Sequence, residues 1–279
     1  MKHTEIRRLE EAARNARINV LKLANAAGAN GAHIASSLSP VDIYTALFQK
    51  VMRFTTGNPH DPDRDRFVLS KGHGALGYYA AMYEAGMISK EELLSFEVNG
   101  GGFPGQPSRN IDYAIEYSGG SLGLGLSFCN GLALSKDCKG RGYRIYALLG
   151  DGEQDEGIVW ESAMFAGYHK LSAVTAVIDN NHMQLDGFTK DILSFDAAGM
   201  WAACGWEVIE CDGHDPQSLC DAFGGRGSDR PCAIIAHTTK GKGVSFIENA
   251  REWHHGRLSD KQLAEALAEM GAGGADDGC

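Results

Sequence analysis

The sequence predicts an α/β protein, a mostly parallel sheet with helices on both faces. Three observations carry this. From Arg144 onward, short apolar runs alternate with segments of helical periodicity. Those runs are apolar nearly throughout, as in strands buried on both faces. No internal repeat or linker-like stretch interrupts the 279 residues, which are enough for one large core. The expected organisation is a single domain over 1–270 and a disordered tail over 271–279.

The elements follow in order. Ile6, Leu9, Ala13, Ala16, Val20, Leu23 and Ala27 repeat at helical spacing, so Thr4 to Ala27 reads as an amphipathic helix. Gly28 to Ser39 reads as a small-residue loop holding His33. Ser39-Pro40 opens a helix over Val41 to Met52, with proline at its first position. Asn58 to Asp65 is a polar, proline-bearing connection. Phe67 to Ser70 is a short strand, and Gly74 to Gly86 a helix. Asn99 to Asn110 is rich in glycine and proline and is a candidate active-site loop. Leu122 to Leu134 is a helix of small residues suited to close packing. Further strands are Tyr143 to Leu149, Ala173 to Ile178, Trp206 to Glu210 and Cys232 to His237. A helix through Ile158, Trp160, Met164, Phe165 and Tyr168 separates the first two. The last helix starts at Ser259, with Gln262 three residues on as a capping box.

Chemistry concentrates where two strands stop. The first ends in Gly150-Asp151-Gly152 and the second in Asp179-Asn180-Asn181-His182-Met183. Glycines around Asp151 let backbone approach a ligand closely. A strand, a glycine turn and a helix start form a general anion site. Asn181 can offer a carbonyl oxygen, and Met183 its backbone carbonyl. A carboxylate, an amide oxygen and a backbone oxygen suit Mg²⁺, which takes six oxygens and shares them with water and phosphate. In open parallel sheets ligands sit at the carboxyl ends of strands, and both turns lie there.

Gly-Asp-Gly, this spacer and Asn-Asn resemble the thiamine-diphosphate motif. The wider text, Gly150-Asp151-Gly152-Glu153-Gln154-Asp155-Glu156-Gly157 with Trp160-Glu161, resembles transketolase. So do Arg64 to His73 and Ser121-Leu122-Gly123-Leu124-Gly125. Thr239 to Phe246, with Trp253-His254-His255-Gly256, is similar to the N-terminal chain of the split form. The resemblance runs from about Ile6 to Met270. It implies a thiamine-diphosphate-binding fold and ketol transfer from a ketose (phosphate) to an aldose (phosphate). It implies Mg²⁺, or Ca²⁺ or Mn²⁺ in its place, on Asp151, Asn181 and Met183. His73, Gly120, Ser121, Leu122, Gly150, Gly152, Glu153, Lys240 and His255 would join these around the cofactor. His33, His73 and His255 are the implied catalytic residues, and His33, Gln106 and His255 the substrate contacts. A second subunit would carry the pyrimidine-binding domain and its catalytic glutamate, in an α2β2 assembly. The family usually has Gly-His-Pro where this chain has Gly105-Gln106-Pro107. Glutamine still donates and accepts hydrogen bonds but cannot take a proton.

Composition bounds the rest. Glycine is 36 of 279 residues, nearly twice the usual share of about 7%, without a period, which fits a loop-rich ligand site. A net charge of −10 argues against nucleic acid and anionic membranes. Seven cysteines without Cys-x-x-Cys read as reduced thiols. No membrane span or signal peptide is expected, so the expected compartment is the cytoplasm. Rival readings are the α subunit of a thiamine-dependent 2-oxo acid dehydrogenase, a deoxyxylulose-phosphate synthase, and a non-catalytic partner that keeps the fold. His60, His169, His214 and His237 read as ordinary structural or surface histidines.

Overall fold

The computed structural model describes residues 1–54 and 57–272. Most of the tail expected over 271–279 lies outside the described residues. In chain order the elements are α1 (His3–Ala26), α2 (Ile34–Leu38), α3 (Val41–Ala46), β1 (Arg66–Leu69), α4 (Ala75–Glu84), α5 (Lys90–Leu93), α6 (Leu124–Cys138) and β2 (Ile145–Gly150). There follow α7 (Gly157–Tyr168), β3 (Val174–Asn180), α8 (Thr189–Ile192), α9 (Ala197–Ala203), β4 (Glu207–Asp212), α10 (Pro216–Gly225), β5 (Cys232–His237) and α11 (Asp260–Glu269). Among the described residues the sheet has five strands, all parallel, in the order β1-β2-β3-β5-β4, with β1 and β4 at the edges.

The two faces of the sheet read directly from the strands. Tyr146, Leu148, Val177, Ile234 and Ala236 pack into one core with α1, α3, α4 and α10. Ile145, Ala147, Leu149, Ala176, Ile178 and Ile235 pack into the other, with α6, α7 and α9. Strand side chains alternate faces, so each strand feeds both layers.

Several elements depart from expectation. Half of the Gly28–Ser39 loop is the buried helix α2. Pro40 caps α3 from outside, its carbonyl accepting the Tyr44 amide, and the last turn widens to a π-turn over Leu47–Val51. Helix α9 is apolar nearly all round in the text, while α10 carries a short stripe of Leu219, Ala222 and Phe223. Each is started by an aspartate that caps its first amides, Asp196 and Asp215. Ser259 and Gln262 form the expected capping box of α11.

The fold positions the site in two ways. Gly150 stands opposite Asp179 in the β2–β3 ladder, which brings both strand ends level. Long excursions then crowd the carboxyl edge: residues 70–123 between β1 and α6, and 238–258 after β5.

Candidate functional site

Two cavities meet at His73 on the carboxyl edge. The inner one, about 180 Å³, is lined among others by Ser36, Lys71, Leu122, Asp151, Asn181, Met183, Gln184, Lys240 and His254. The outer one, about 390 Å³, is lined among others by Asn30, His33, Ser37, Glu97, Gln106 and His255.

Asp151 is buried and accepts the His182 amide N–H. Burial, then the nearby Asp179 carboxylate, pushes its pKa up to about 7. A carboxyl held this way gains from a cation. The Asn181 amide group donates to Asp179 Oδ2 (3.2 Å) and Ser39 Oγ (3.3 Å). Its carbonyl oxygen is therefore turned the other way, where it accepts the Met183 N–H at 3.1 Å. Met183 is buried beside it. Among the described residues no three His, Cys, Asp or Glu side chains form a metal cluster. The donor set is thus one carboxylate with amide and backbone oxygens, which suits a hard cation completed by phosphate oxygens.

Two side chains lining the same cavity carry buried polar atoms without a partner, Ser36 Oγ and Gln184 Nε2. Both can donate to an anion. Lys240 lies at 3.1 Å from His254 Nδ1, and burial followed by the Lys71 charge pushes its pKa down to about 8. Unsatisfied donors and a destabilised ammonium beside an oxygen-rich pocket fit a metal-bound diphosphate.

Glycine has a stated reason at Gly152, where a Cβ would come within 2.6 Å of Gln184 Cβ. At Gly150 a Cβ would meet only Lys71, at 3.7 Å, so that glycine leaves open room. Glu153 lines the cavity, but its carboxylate is engaged by Ser70 Oγ, Gly123 N and Gly150 N. It ties the ends of β1 and β2 to the start of α6. Of Gly120, Ser121 and Leu122, only Leu122 lines the cavity, and the other two are exposed.

The centre of this site holds an ion pair whose residues lie inside the quoted motifs without a role assigned there. Asp179, inside β3 rather than in the turn, is fully buried. Burial would raise its pKa, but the Lys71 ammonium and hydrogen bonds from Ser39 and Thr238 outweigh that and hold it low. Lys71 Nζ lies 2.5 Å from Asp179 Oδ2, and both are shut off from solvent. Ser36 and Gln184 have no signature of their own. Asp179 opens the strand-end motif and Lys71 stands beside His73 in the other, but neither motif shows that the two pair.

The histidines gather. His33 lies with ring centroids 4.6 Å from His255, 5.5 Å from His254 and 5.8 Å from His73. Paired backbone hydrogen bonds between Ala32 and Gly256 staple the two segments. Gly31 is required there: its φ is 68°, and a Cβ would lie 2.9 Å from the Gly256 carbonyl. His255, expected at the diphosphate, lines the outer cavity, whereas His254 lines the inner one. Burial, then the His255 ring, pushes His33 down to about 4. Burial, then the Lys71 charge, holds His73 well below its ordinary value, and burial with Lys240 pushes His254 down to about 3.

Gln106 lies in the outer wall with Oε1 buried and unpartnered. It sits so close over Gly72 that a Cβ there would come within 2.2 Å of Oε1. Of the six other histidines, the four that read as ordinary structural or surface residues make local contacts. His214 accepts the Thr239 N–H on Nε2, so Nδ1 carries the proton toward Asp42. His60 and His237 pair with Asp112 and Glu210 near solvent, and His169 packs at a tilt against Phe165.

The family model described as "Transketolase, thiamine diphosphate binding domain" matches residues 10–276. The chain is 39% identical over 264 residues to an apulose-4-phosphate transketolase subunit of Actinobacillus succinogenes, covering 94% of this chain and 95% of that one. It is 37% identical over 246 residues to the 6-deoxy-6-sulfo-D-fructose transketolase subunit SqwG of Clostridium sp., covering 87% and 90%. Its fold superposes on the solved transketolase from Leishmania mexicana with a TM-score of 0.89 at 26% identity, covering 97% of this chain and 42% of that one. The chain thus spans about two-fifths of that solved transketolase's length.

Proposed function

The chain belongs to the transketolase family, as its thiamine-diphosphate-binding domain, and on that premise we propose that it is the N-terminal subunit of a split transketolase. With a C-terminal subunit it moves a two-carbon ketol unit from a ketose (phosphate) to an aldose (phosphate). One observation carries this reading: the ladder that sets Gly150 against Asp179 brings Asp151, Asn181 and the orphan donors Ser36 and Gln184 around one cavity.

Asp151, the Asn181 carbonyl and the Met183 backbone carbonyl would hold Mg²⁺, or Ca²⁺ or Mn²⁺ in its place. Lys240, His254, Ser36 and Gln184 would donate to the diphosphate, with Leu122, Gly150, Gly152 and Glu153 forming the wall. When bound, thiamine diphosphate supplies the nucleophilic carbon that ketol transfer needs. His33 and His73 are neutral near pH 7, so they hold few protons and act mainly by hydrogen bonding. They and His255 orient the hydroxyls of the sugar, with Gln106 beside them.

The partner subunit would bring the pyrimidine-binding domain with its glutamate, in an α2β2 assembly. Support comes from the relatives' naming as subunits and from an exposed apolar stripe on α6 and α7: Leu134, Met164, Phe165 and Tyr168. A cytoplasmic setting is supported by six unpaired thiols among the described residues. Among those residues no helix is long and apolar enough to cross a membrane.

The test is ketol transfer from xylulose 5-phosphate to ribose 5-phosphate by the chain mixed with its C-terminal partner. Activity is expected only with both chains, thiamine diphosphate and Mg²⁺. Turnover of a 2-oxo acid with a redox acceptor instead would favour the dehydrogenase reading. A second reading concerns the sugar. Two relatives are named for unusual substrates, apulose 4-phosphate and 6-deoxy-6-sulfo-D-fructose, and Gln106 stands in the sugar wall. If Gln106 sets the preference, Gln106→His shifts the order of a sugar panel. An unchanged order sinks that idea.

A further inference from the structure

Among the described residues, Glu97 is the only Asp, Glu, Lys or Arg in the lining of the outer cavity. The inner cavity, by contrast, holds both signs, Lys71 and Lys240 with Asp151 and Glu153. The place of this carboxylate is set by several independent contacts. The backbone of Glu97 takes a left-handed conformation, φ 54°, which a side chain of this size rarely adopts. Its N–H donates to the Phe103 carbonyl at 3.2 Å, beside the Phe96–Phe103 bridge. Its own carbonyl accepts the Asn30 amide at 3.5 Å. Oε1 accepts the Gly105 N–H. Residue 105 is glycine, and a Cβ there would come within 2.5 Å of that oxygen. A conformation held against its own preference by surrounding contacts is a signature of functional placement. What is placed here is a negative charge in the wall that also carries Gln106.

We propose that Glu97 is a specificity-determining residue, a fixed charge that keeps anionic substituents away from this chain's half of the sugar cavity. The rest of the wall has no Asp, Glu, Lys or Arg and is rich in hydrogen-bonding groups, with Asn30, Ser37, Gln106 and Ser118 among them. It therefore takes the hydroxyl-bearing end of the sugar. A phosphate or sulfonate on the same molecule is turned outward, away from Glu97. The proposal rests on reading this cavity as the sugar site.

The test uses the full chain with its partner subunit, thiamine diphosphate and Mg²⁺. The acceptors are a matched pair, D-glyceraldehyde and D-glyceraldehyde 3-phosphate. Glu97→Gln keeps an oxygen for the Gly105 N–H and removes only the charge. It should raise the kcat/KM preference for the phosphorylated acceptor on the order of tenfold, mostly through KM. The shift should shrink at high ionic strength. Glu97→Ala, which also frees the loop, separates charge from support. Equal losses for both acceptors in Glu97→Gln, with the ratio unchanged, would reduce Glu97 to a loop clamp and overturn the proposal. Calorimetric binding of the same pair reads the charge preference without turnover. An absence of ketol transfer would therefore count against the transketolase reading, while the binding ratio still decides the role of Glu97.

Discussion

The buried ionisable side chains decide most at the scale of single residues. Lys71 and Asp179 are a buried pair, and removing one partner leaves the other charge alone in the interior. Lys71→Met should cost about 3–5 kcal/mol in urea unfolding, and Lys71→Met with Asp179→Leu should recover much of it. The histidines set an acid limit. His33 and His254 have folded pKa values of about 4 and about 3, below the ordinary 6.5. The unfolded chain therefore binds more protons as pH falls below 6.5. Their contribution is fully present above that pH and is lost as pH drops toward 4 and 3. Water around these partly exposed rings reduces the effect to on the order of 1–2 kcal/mol. Unfolding midpoints at pH 7, 5.5 and 4.5 should fall accordingly, and the fall should flatten in His33→Asn with His254→Asn. Little of this was legible in the text. Asp151 and Asn181 stood out because they end strands beside glycine or asparagine. The pairing of Lys71 with Asp179 did not, although both lie in quoted motifs, because an ion pair 108 residues apart has no local pattern. In the His254–His255 doublet the fold turns His254 to the inner cavity and His255 to the outer one, a difference of one position that the spacing does not show.

At the scale of elements, close helix contacts fix where the site's side chains stand. Gly77 on α4 sits against α2, where a Cβ would come within 2.2 Å of the Ser37 carbonyl. His33 precedes α2, and His73 lies in the turn that leads into α4. Gly77→Ala should cost about 1–3 kcal/mol as overpacking. It should lower ketol transfer by more than its loss of stability explains, because it spreads the two histidines. Parallel thermal melts and assays at a temperature where the variant is folded would check this. The strands and long helices were legible because burial on two faces leaves apolar runs and stripes. The small helix α2 was hidden for a physical reason: Ile34-Ala35-Ser36-Ser37-Leu38 is buried all round and shows no stripe. Helix α9 escaped because it is apolar nearly all round, and α10 because its stripe is short.

For the whole molecule, the main expectation is dependence on a partner. The isolated chain should bind thiamine diphosphate with Mg²⁺ yet transfer no ketol, and both should be measurable on one preparation by calorimetry and a coupled assay. Phe165→Glu with Tyr168→Glu should lower the mass of the assembly in light scattering while leaving the fold intact, since both side chains are exposed on α7. An unchanged mass would move the contact surface elsewhere. The sheet's borders bear on the chain before any partner arrives. The unpaired margin at β4 carries Glu207, Glu210 and Asp212 in six residues. At β1 the Asp65 carboxylate takes the amides of Arg53 and Arg144 just before the strand begins. Two copies meeting margin to margin at β4 would set like charges opposite each other, which disfavours pairing. A newly made subunit waiting for its counterpart is thereby guarded against fibre-like growth, at the border that lies farthest from the β2 and β3 strand ends where the candidate site is built.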